Sequence, residues 1–191
     1  MKIPTLETEH LWIRPFNLSD LDAAHQLFDL DSHMETHSRD ERHKWLRWTV
    51  MNYEELDKLD QPPYGDRAVV LKETSEIIGA CGLVPLIMPF GLLPYYQALN
   101  NNVVDDRGIP EVGLFWAIAT SHRRQGYAVE AGQALIDYAF RHFHLKRIVA
   151  TTDFDNEASI GVIRRLGMTV ERNPNPGHPP YLQVVGILEN R

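Results

Sequence analysis

The chain has 191 residues, 43% of them hydrophobic, which is enough for one domain of ordinary size to fold without disulfides or a structural metal. Its formal net charge of −7 argues against nucleic-acid binding, which needs a positive surface that displaces counterions from phosphates. The single cysteine, Cys81, cannot form an internal disulfide, and the sequence shows neither a signal peptide nor an apolar run approaching the ~18 residues of a membrane span. We therefore expect a cytoplasmic protein with a single domain over residues 1–191.

The first quarter of the chain predicts a strand followed by two helices. Residues 11–14 are a short strand candidate, and Asn17 or Ser19 then caps a helix whose apolar residues recur at helical spacing. A second helical region covers about residues 40–59, and a segment rich in proline ends it.

The next segments predict a hairpin and then an irregular insertion. Residues 67–72 and 76–84 are strand candidates joined by a three-residue turn, which indicates an antiparallel pair. Residues 85–110 contain four prolines and three consecutive asparagines, and they show little regular pattern. A connection of this length is unusual in a compact domain and is more often functional than neutral.

The C-terminal half alternates strands with helices before two final strands. The predicted elements are strand 111–118, a helix from about Gln125, strand 147–153, helix 156–166, and strands 168–171 and 181–188. The order is thus β-α-α-β-β-β-α-β-α-β-β. Hairpins followed by a β-α-β crossover predict an α/β (α+β) fold, with a mixed, mostly antiparallel sheet of about seven strands and helices on both faces.

One junction between a strand and a helix has the features of a phosphate-binding loop. The first N–H groups of a helix have no partner within it, and the positive end of the helix dipole disfavours cations. Yet Arg123 and Arg124 stand there beside His122, and an anion bound at that point would reverse the sign of the interaction. Gly126 has no side chain, so an anion can approach the main chain closely. The alternative is a solvated turn whose arginines have no ligand.

Three blocks of sequence together resemble the GNAT superfamily of acyl-CoA-dependent N-acetyltransferases. Residues 6–23 (LETEHLWIRPFNLSDLDA) are similar to the opening strand and helix of the branch that includes the ribosomal-protein N-terminal (alanine/serine) acetyltransferases. Residues 123–128 (RRQGYA) match the family's phosphate-loop pattern, and residues 156–159 (NEAS), with 166–168 (LGM) after them, resemble its Asn-x-x-Ser helix and following turn. The resemblance covers residues 6–188, and it departs from the branch in the long segment before the fourth strand.

The resemblance implies transfer of an acetyl group from acetyl-CoA to a primary amine, by direct attack in a ternary complex and without a metal. The amine would be a protein N-terminus or a small molecule. Main-chain groups of one strand would pair with the pantetheine arm, and the loop after it would hold the pyrophosphate. The residues implied in coenzyme binding are Phe115, Trp116, Ala117, Ile118, Arg123, Arg124, Gln125, Gly126, Tyr127, Ala128, Val129 and Asn156.

Three side chains are the candidate catalytic residues. The resemblance makes Glu111 the candidate base for the amine, and its alternative is a solvated carboxylate at the end of a strand. It places Asn156 near the pantetheine or the attacking amine, and Ser159 near the sulfur as a donor to the leaving thiolate. Both are also ordinary residues at the start of a helix. Tyr181 is the alternative acid.

The remaining chemistry-bearing residues give weaker signals. His33, His37 and His43 lie four and six residues apart, but no cysteine or clustered carboxylate completes a tetrahedral metal site. Cys81 among apolar neighbours is expected to be buried and inert. A dinucleotide oxidoreductase is excluded because no Gly-x-Gly-x-x-Gly turn follows an early strand. A non-catalytic acyl-CoA-binding module is the alternative function. The acceptor and the oligomeric state, a homodimer included, stay open.

Overall fold

The computed structural model describes residues 2–31, 36–175 and 177–190 and places them in eight strands and five α-helices. The strands are β1 (Leu6–Glu7), β2 (Leu11–Pro15), β3 (Gly65–Leu71), β4 (Ile77–Met88), β5 (Ile109–Ile118), β6 (Arg147–Thr152), β7 (Thr169–Arg172) and β8 (Val184–Glu189). The helices are α1 (Leu21–His25), α2 (Arg39–Lys58), α3 (Pro94–Leu99), α4 (Tyr127–Phe143) and α5 (Glu157–Arg165). The chain divides into two compact units, the first formed by Met1–Val84 with Phe115–Tyr138 and the second by Pro85–Leu114 with Ala139–Arg191.

The strands form a mixed and mostly antiparallel sheet, which confirms the predicted fold class. Their order is β1-β2-β3-β4-β5-β6-β8-β7. The antiparallel pairs are β1–β2, β2–β3, β3–β4, β6–β8 and β7–β8. Strands β5 and β6 pair in parallel. The sheet has eight strands where about seven were predicted. The additional strand is β1, whose two residues pair with β2 and are too short to give an alternating pattern in the sequence.

The first unit places α1 and α2 against the sheet. Asn17 accepts a hydrogen bond from the Ser19 N–H and forms a capping box with Asp20, as its cap position predicted. Five α-helical residues follow, and a π-helical turn, Gln26–Leu30, continues the chain. The core residues that these helices share with β3 and β4 are Phe16, Ala24, Leu27, Phe28, Leu46, Ala68, Val70 and Ala80.

The second unit contains the segment 85–110, which is more regular than its prolines predicted. β4 continues to Met88, and Pro94 begins α3, where a residue without an N–H is tolerated because that group has no helical acceptor. Phe90 and Leu93 are fully buried in a cluster with residues of β6 and β8. Packing of these side chains, rather than local propensity, therefore orders the segment.

The other elements agree with the predicted ones to within a few residues. α4 begins at Tyr127, two residues after the predicted start, and α5 ends before Gly167, whose φ of 74° is typical of a helix C-terminus. β8 begins at Val184, so Tyr181 lies in the preceding loop. Among the described residues, no helix has the length and apolarity required to cross a membrane.

Candidate functional site

The loop between β5 and α4 presents a row of main-chain N–H groups. Arg124 and Gly126 adopt positive φ angles of 62° and 93°, so the chain turns sharply twice before the helix starts. In the part of the chain that the structure describes, the N–H groups of Arg124, Gln125 and Gly126 donate to no protein acceptor. Those of Tyr127 and Ala128 follow in the first helical turn, where a helix supplies no acceptor. A concave run of donors of this kind is suited to an anion.

Gly126 keeps this row of donors accessible. A Cβ built on it would meet no atom within 4 Å, so the space in front of the main chain is open. Its carbonyl oxygen accepts from the N–H groups of Val129 and Glu130, both at 3.0 Å, and this fixes the first turn of α4. The residue thus starts the helix and leaves room for a ligand at its positive end.

The two arginines of the loop have different environments. The Arg123 Nε donates to the carbonyl oxygen of Ile118 at 3.0 Å, so part of this guanidinium braces the loop against β5. Arg124 is exposed, and no acidic side chain pairs with it among the described residues. Arg124 is therefore the more available cation for an anion held by the loop.

Glu130, which the sequence analysis did not single out, anchors the same helix. Its carboxylate accepts from the Thr8 hydroxyl at 2.6 Å and from the N–H and ring nitrogen of His10 at 2.8 and 3.0 Å. Burial by itself raises the pKa of Glu130, but these hydrogen bonds outweigh burial and lower it. A negative charge in the first turn also stabilises the helix dipole. The β1–β2 loop is thereby tied to the start of α4.

The end of β5 brings its main chain close to β4. A Cβ at Gly79 would lie 2.5 Å from the Ala117 carbonyl oxygen, so only glycine permits this approach. The Ala119 N–H donates to the Ile78 carbonyl oxygen at 2.8 Å. The side chains of Phe115 and Ala117 pack against the core that α1 and α2 share with the sheet. Residues 115–118 are therefore a firmly held strand end that leads directly into the loop.

Glu111, in the second unit, is committed to an ion pair. Its side chain is 6% exposed, and its Oε1 accepts from the Arg147 guanidinium, including Nε at 2.7 Å, and from the Tyr96 hydroxyl at 3.0 Å. The Arg147 guanidinium also lies over the Tyr96 ring. Burial raises the pKa of Tyr96, and the charge of Glu111 raises it further. These contacts engage Oε1 of Glu111, and the general-base role that the resemblance implied for it stays a prediction.

Asn156 and Ser159 come together at the start of α5, as their spacing predicted. The Asn156 Oδ1 accepts from the Ser159 N–H at 3.1 Å, so Asn156 is the N-cap of the helix. Asn156 is exposed and Ser159 half-buried, and no partner of the Ser159 hydroxyl is found in the described parts of the chain. The Asn156 amide nitrogen and the Ser159 hydroxyl are thus available to a ligand.

The other candidate residues of the sequence each have an environment of their own. Tyr181 is 61% exposed in the loop before β8, and Cys81 is buried with its thiol pKa raised by burial. His33 lies outside the described residues, whereas the His37 N–H donates to Asp29 at 3.0 Å. Within residues 2–31, 36–175 and 177–190, no group of three histidine, cysteine or acidic side chains is arranged to hold a metal ion.

Comparison with solved structures finds the same fold in other proteins. A solved structure described as a putative ribosomal-protein-serine acetyltransferase from Vibrio cholerae superposes with a TM-score of 0.69 at 20% identity and covers 99% of both chains. The RimL ribosomal L7/L12 alpha-N-protein acetyltransferase, solved in complex with coenzyme A, superposes with a TM-score of 0.61 at 19% identity over 94% of this chain and 93% of that one. At these identities the two structures show the fold alone.

Sequence comparison gives the family itself. The chain is 27% identical over 176 residues to a protein of Bacillus licheniformis named uncharacterized N-acetyltransferase p20, which covers 87% of this chain and 83% of the relative. The model of the acetyltransferase (GNAT) domain matches residues 10–169. That match includes both the loop of unpartnered N–H groups and the Asn156 cap, and the chain therefore belongs to the GNAT acetyltransferase family.

Proposed function

We propose that this protein transfers an acetyl group from acetyl-CoA to a primary amine, a protein N-terminus or a small-molecule amine, by direct attack in a ternary complex. The observation that carries the proposal is the row of unpartnered N–H groups from Arg124 to Ala128 in front of an open Gly126. Diphosphate is the part of acetyl-CoA that such a row would hold. Membership of the acetyltransferase family supports the same reaction.

The coenzyme-binding residues follow from this geometry. The N–H groups of residues 124–128 would bind the diphosphate. The guanidinium groups of Arg124 and of Arg123, whose Nε donates to Ile118, would add positive charge. The main chain of residues 115–118 would hold the pantetheine arm as an added strand. A backbone N–H of that strand would stabilise negative charge on the thioester oxygen.

The catalytic roles are assigned from the side-chain atoms that have no hydrogen-bond partner among the described residues. Asn156 would contact the pantetheine arm through its amide nitrogen, and the Ser159 hydroxyl would donate to the leaving thiolate. Glu111 would take the proton of the amine, directly or through water, while its Oε1 accepts from Arg147.

Substitution of Gly126 tests the coenzyme site. Because Gly126 has a φ of 93°, any other residue strains the loop, so Gly126→Gln is the control that has the strain without the charge. We expect Gly126→Glu to weaken acetyl-CoA binding by a hundredfold or more relative to Gly126→Gln, through like-charge repulsion at the diphosphate. Isothermal titration calorimetry gives the dissociation constants, and circular dichroism checks the fold. Equal affinities for the two folded variants would count against a diphosphate at this loop.

A non-catalytic acyl-CoA-binding module is the alternative that the same loop permits. Release of thiol from acetyl-CoA, measured with a panel of peptides and small amines, separates the two functions. The proposed enzyme releases thiol in proportion to acceptor. Saturable acetyl-CoA binding without any thiol release that depends on the acceptor would favour the binding module.

A further inference from the structure

An open groove on the outer face of α2 is not explained by coenzyme binding. Its volume is about 530 Å³, and it lies between α2 and the short turn Leu18–Asp20 that precedes α1. Leu18 lines it together with Trp48 and Met51 of the helix. These three side chains are 52%, 55% and 56% exposed. A contiguous apolar surface of this kind marks a binding face more often than an inert one.

The fold itself does not use these apolar side chains of α2. The helix buries its opposite face, where Leu46 and Thr49 are almost fully buried. Trp45 packs against the core of the first unit, whereas Trp48, three residues later, is on the solvent side. An amphipathic helix ordinarily has polar residues on that side. The outer face of α2 therefore has apolar surface to spare for a partner.

The charged side chains that line the groove have no ion-pair partner among the described residues. They are Lys44, Arg47 and Glu54. Several other charged side chains of α2 are paired within the protein, as Arg39–Asp22, Arg42–Asp29, Asp57–Lys2 and Lys58–Glu55. The two cations of the groove precede Trp48 and Met51 in the helix, and Glu54 follows them. The charge of the groove therefore changes sign along the helix axis.

A two-fold axis that sets α2 antiparallel to α2 of a second copy would satisfy this pattern. When Trp48 faces Met51 of the second copy, each step toward the C-terminus of one helix is a step toward the N-terminus of the other, so Glu54 faces position 45. Lys44 and Arg47 of the second copy then lie about 1.5 and 3 Å along the axis from that position, within reach of long side chains. Because the axis repeats every contact, each copy places its carboxylate against the cations of the other.

Other arrangements at this groove satisfy its charges less well. A parallel pair of α2 helices would bring the two cationic ends together, and like charges in contact disfavour association. An acidic segment of a different protein would neutralise Lys44 and Arg47 but would repel Glu54. A second copy in the antiparallel arrangement supplies both signs of charge and an apolar centre.

We propose that the protein forms a homodimer through this groove, with the two α2 helices antiparallel and Trp48 of each copy seated in the groove of the other. Trp48 then contacts Met51 of the second copy, a pairing of sulfur with an aromatic ring that is itself favourable. The helix face from Lys44 to Glu54 is about 15 Å long, so the interface is smaller than that of an obligate dimer. A dissociation constant of about 1–100 µM follows. The dimer does not depend on acetyl transfer, so its failure would leave the proposed function standing.

Sedimentation velocity of the full chain, from about 1 to 500 µM, measures the dimer. Met51→Glu places a charge in the apolar centre of the groove. Leu99→Glu is the matched control, because Leu99 at the end of α3 is also 56% exposed and lies outside the groove. We expect Leu99→Glu to dimerise like the unmodified protein and Met51→Glu to weaken the dimer by about thirtyfold or more. Circular dichroism checks that both variants fold.

An exchange of charges tests the antiparallel arrangement. Glu54→Lys leaves only cations in the groove, and the double variant Lys44→Glu, Arg47→Glu leaves only anions, so each variant alone should dimerise about tenfold more weakly or worse. An equimolar mixture should restore a dimer that contains one copy of each.

Three results would overturn the proposal. The first is a protein that stays monomeric at every concentration, which would leave the groove to an acidic segment of a different protein. The second is a dimer that Met51→Glu does not weaken, because its interface would then lie elsewhere. The third is a mixture of the charge variants that associates no more tightly than either variant alone.

Discussion

At the scale of single residues, Asp66 is a carboxylate whose partial burial makes the stability of the fold depend on pH. Its folded-state pKa of about 6 lies above the ordinary value of 3.8. The folded protein therefore holds this proton more tightly than the unfolded chain does. The stability that this provides is complete below pH ~4 and is lost as the pH rises through 6.

Asp66→Asn should accordingly stabilise the protein at neutral pH. The gain at pH 7.5 is at most about 3 kcal/mol for a shift of this size, which partial exposure to solvent reduces, and it should be clearly smaller at pH 4.5. A gain of 1 kcal/mol raises the Tm of a chain of this length by about 2–4 °C. Thermal unfolding of both proteins at the two pH values checks this. An Asp66→Asn protein less stable at pH 7.5 than the unmodified chain would show that the carboxylate is satisfied in solution.

A residue's environment could be predicted from the sequence when it depends on neighbouring residues, and not when it depends on partners distant in the chain. Gly126 was predicted as the open point of the loop because a glycine before a helix has a local reason to be there. The surroundings of Glu111 come from Arg147 and Tyr96, and those of Asp66 from Arg42. Such partners are distant in sequence, so the resemblance pointed to Glu111 without showing the ion pair that the structure has there.

At the scale of elements, α5 tests whether Asn156 has one role or two. Asn156→Ala removes the cap and should destabilise the protein by about 1 kcal/mol, whereas Asn156→Asp keeps an oxygen for the Ser159 N–H and should retain the stability. If the amide nitrogen also contacts the pantetheine arm, both variants should weaken coenzyme A binding by several fold. Chemical denaturation and calorimetry separate the two roles. Full coenzyme A affinity in Asn156→Asp would restrict Asn156 to the cap.

The segment 85–110 contains a helix and buried side chains that the sequence did not predict. Its prolines and asparagines predicted an irregular insertion, yet Pro94 begins α3, and Phe90 and Leu93 are fully buried. Proline fits the first position of a helix as well as it fits a loop, and the sequence pattern does not distinguish these uses. Packing around Phe90 decides between them, and Val149, Val185 and Ile187 of that cluster lie in strands more than fifty positions later.

At the scale of the whole molecule, the fold followed from the order of hairpins and the single β-α-β crossover. Antiparallel hairpins need only short turns, whereas the parallel β5–β6 pair needs a helix between its strands. Both kinds of connection could therefore be predicted from the sequence. Strand β1 was not predicted because two residues are too few to show an alternating pattern of apolar and polar side chains. The three motif blocks gave the family, which the match over residues 10–169 confirms.

The central claim is that the N–H groups of residues 124–128 hold the diphosphate of the coenzyme. The direct measurement is a two-dimensional 15N–1H NMR titration of the full chain with coenzyme A. We predict that the amide signals of residues 124–128 shift most and that their exchange with solvent slows as the coenzyme saturates. Saturating coenzyme A that leaves these amides unshifted and still exchanging freely would contradict the claim.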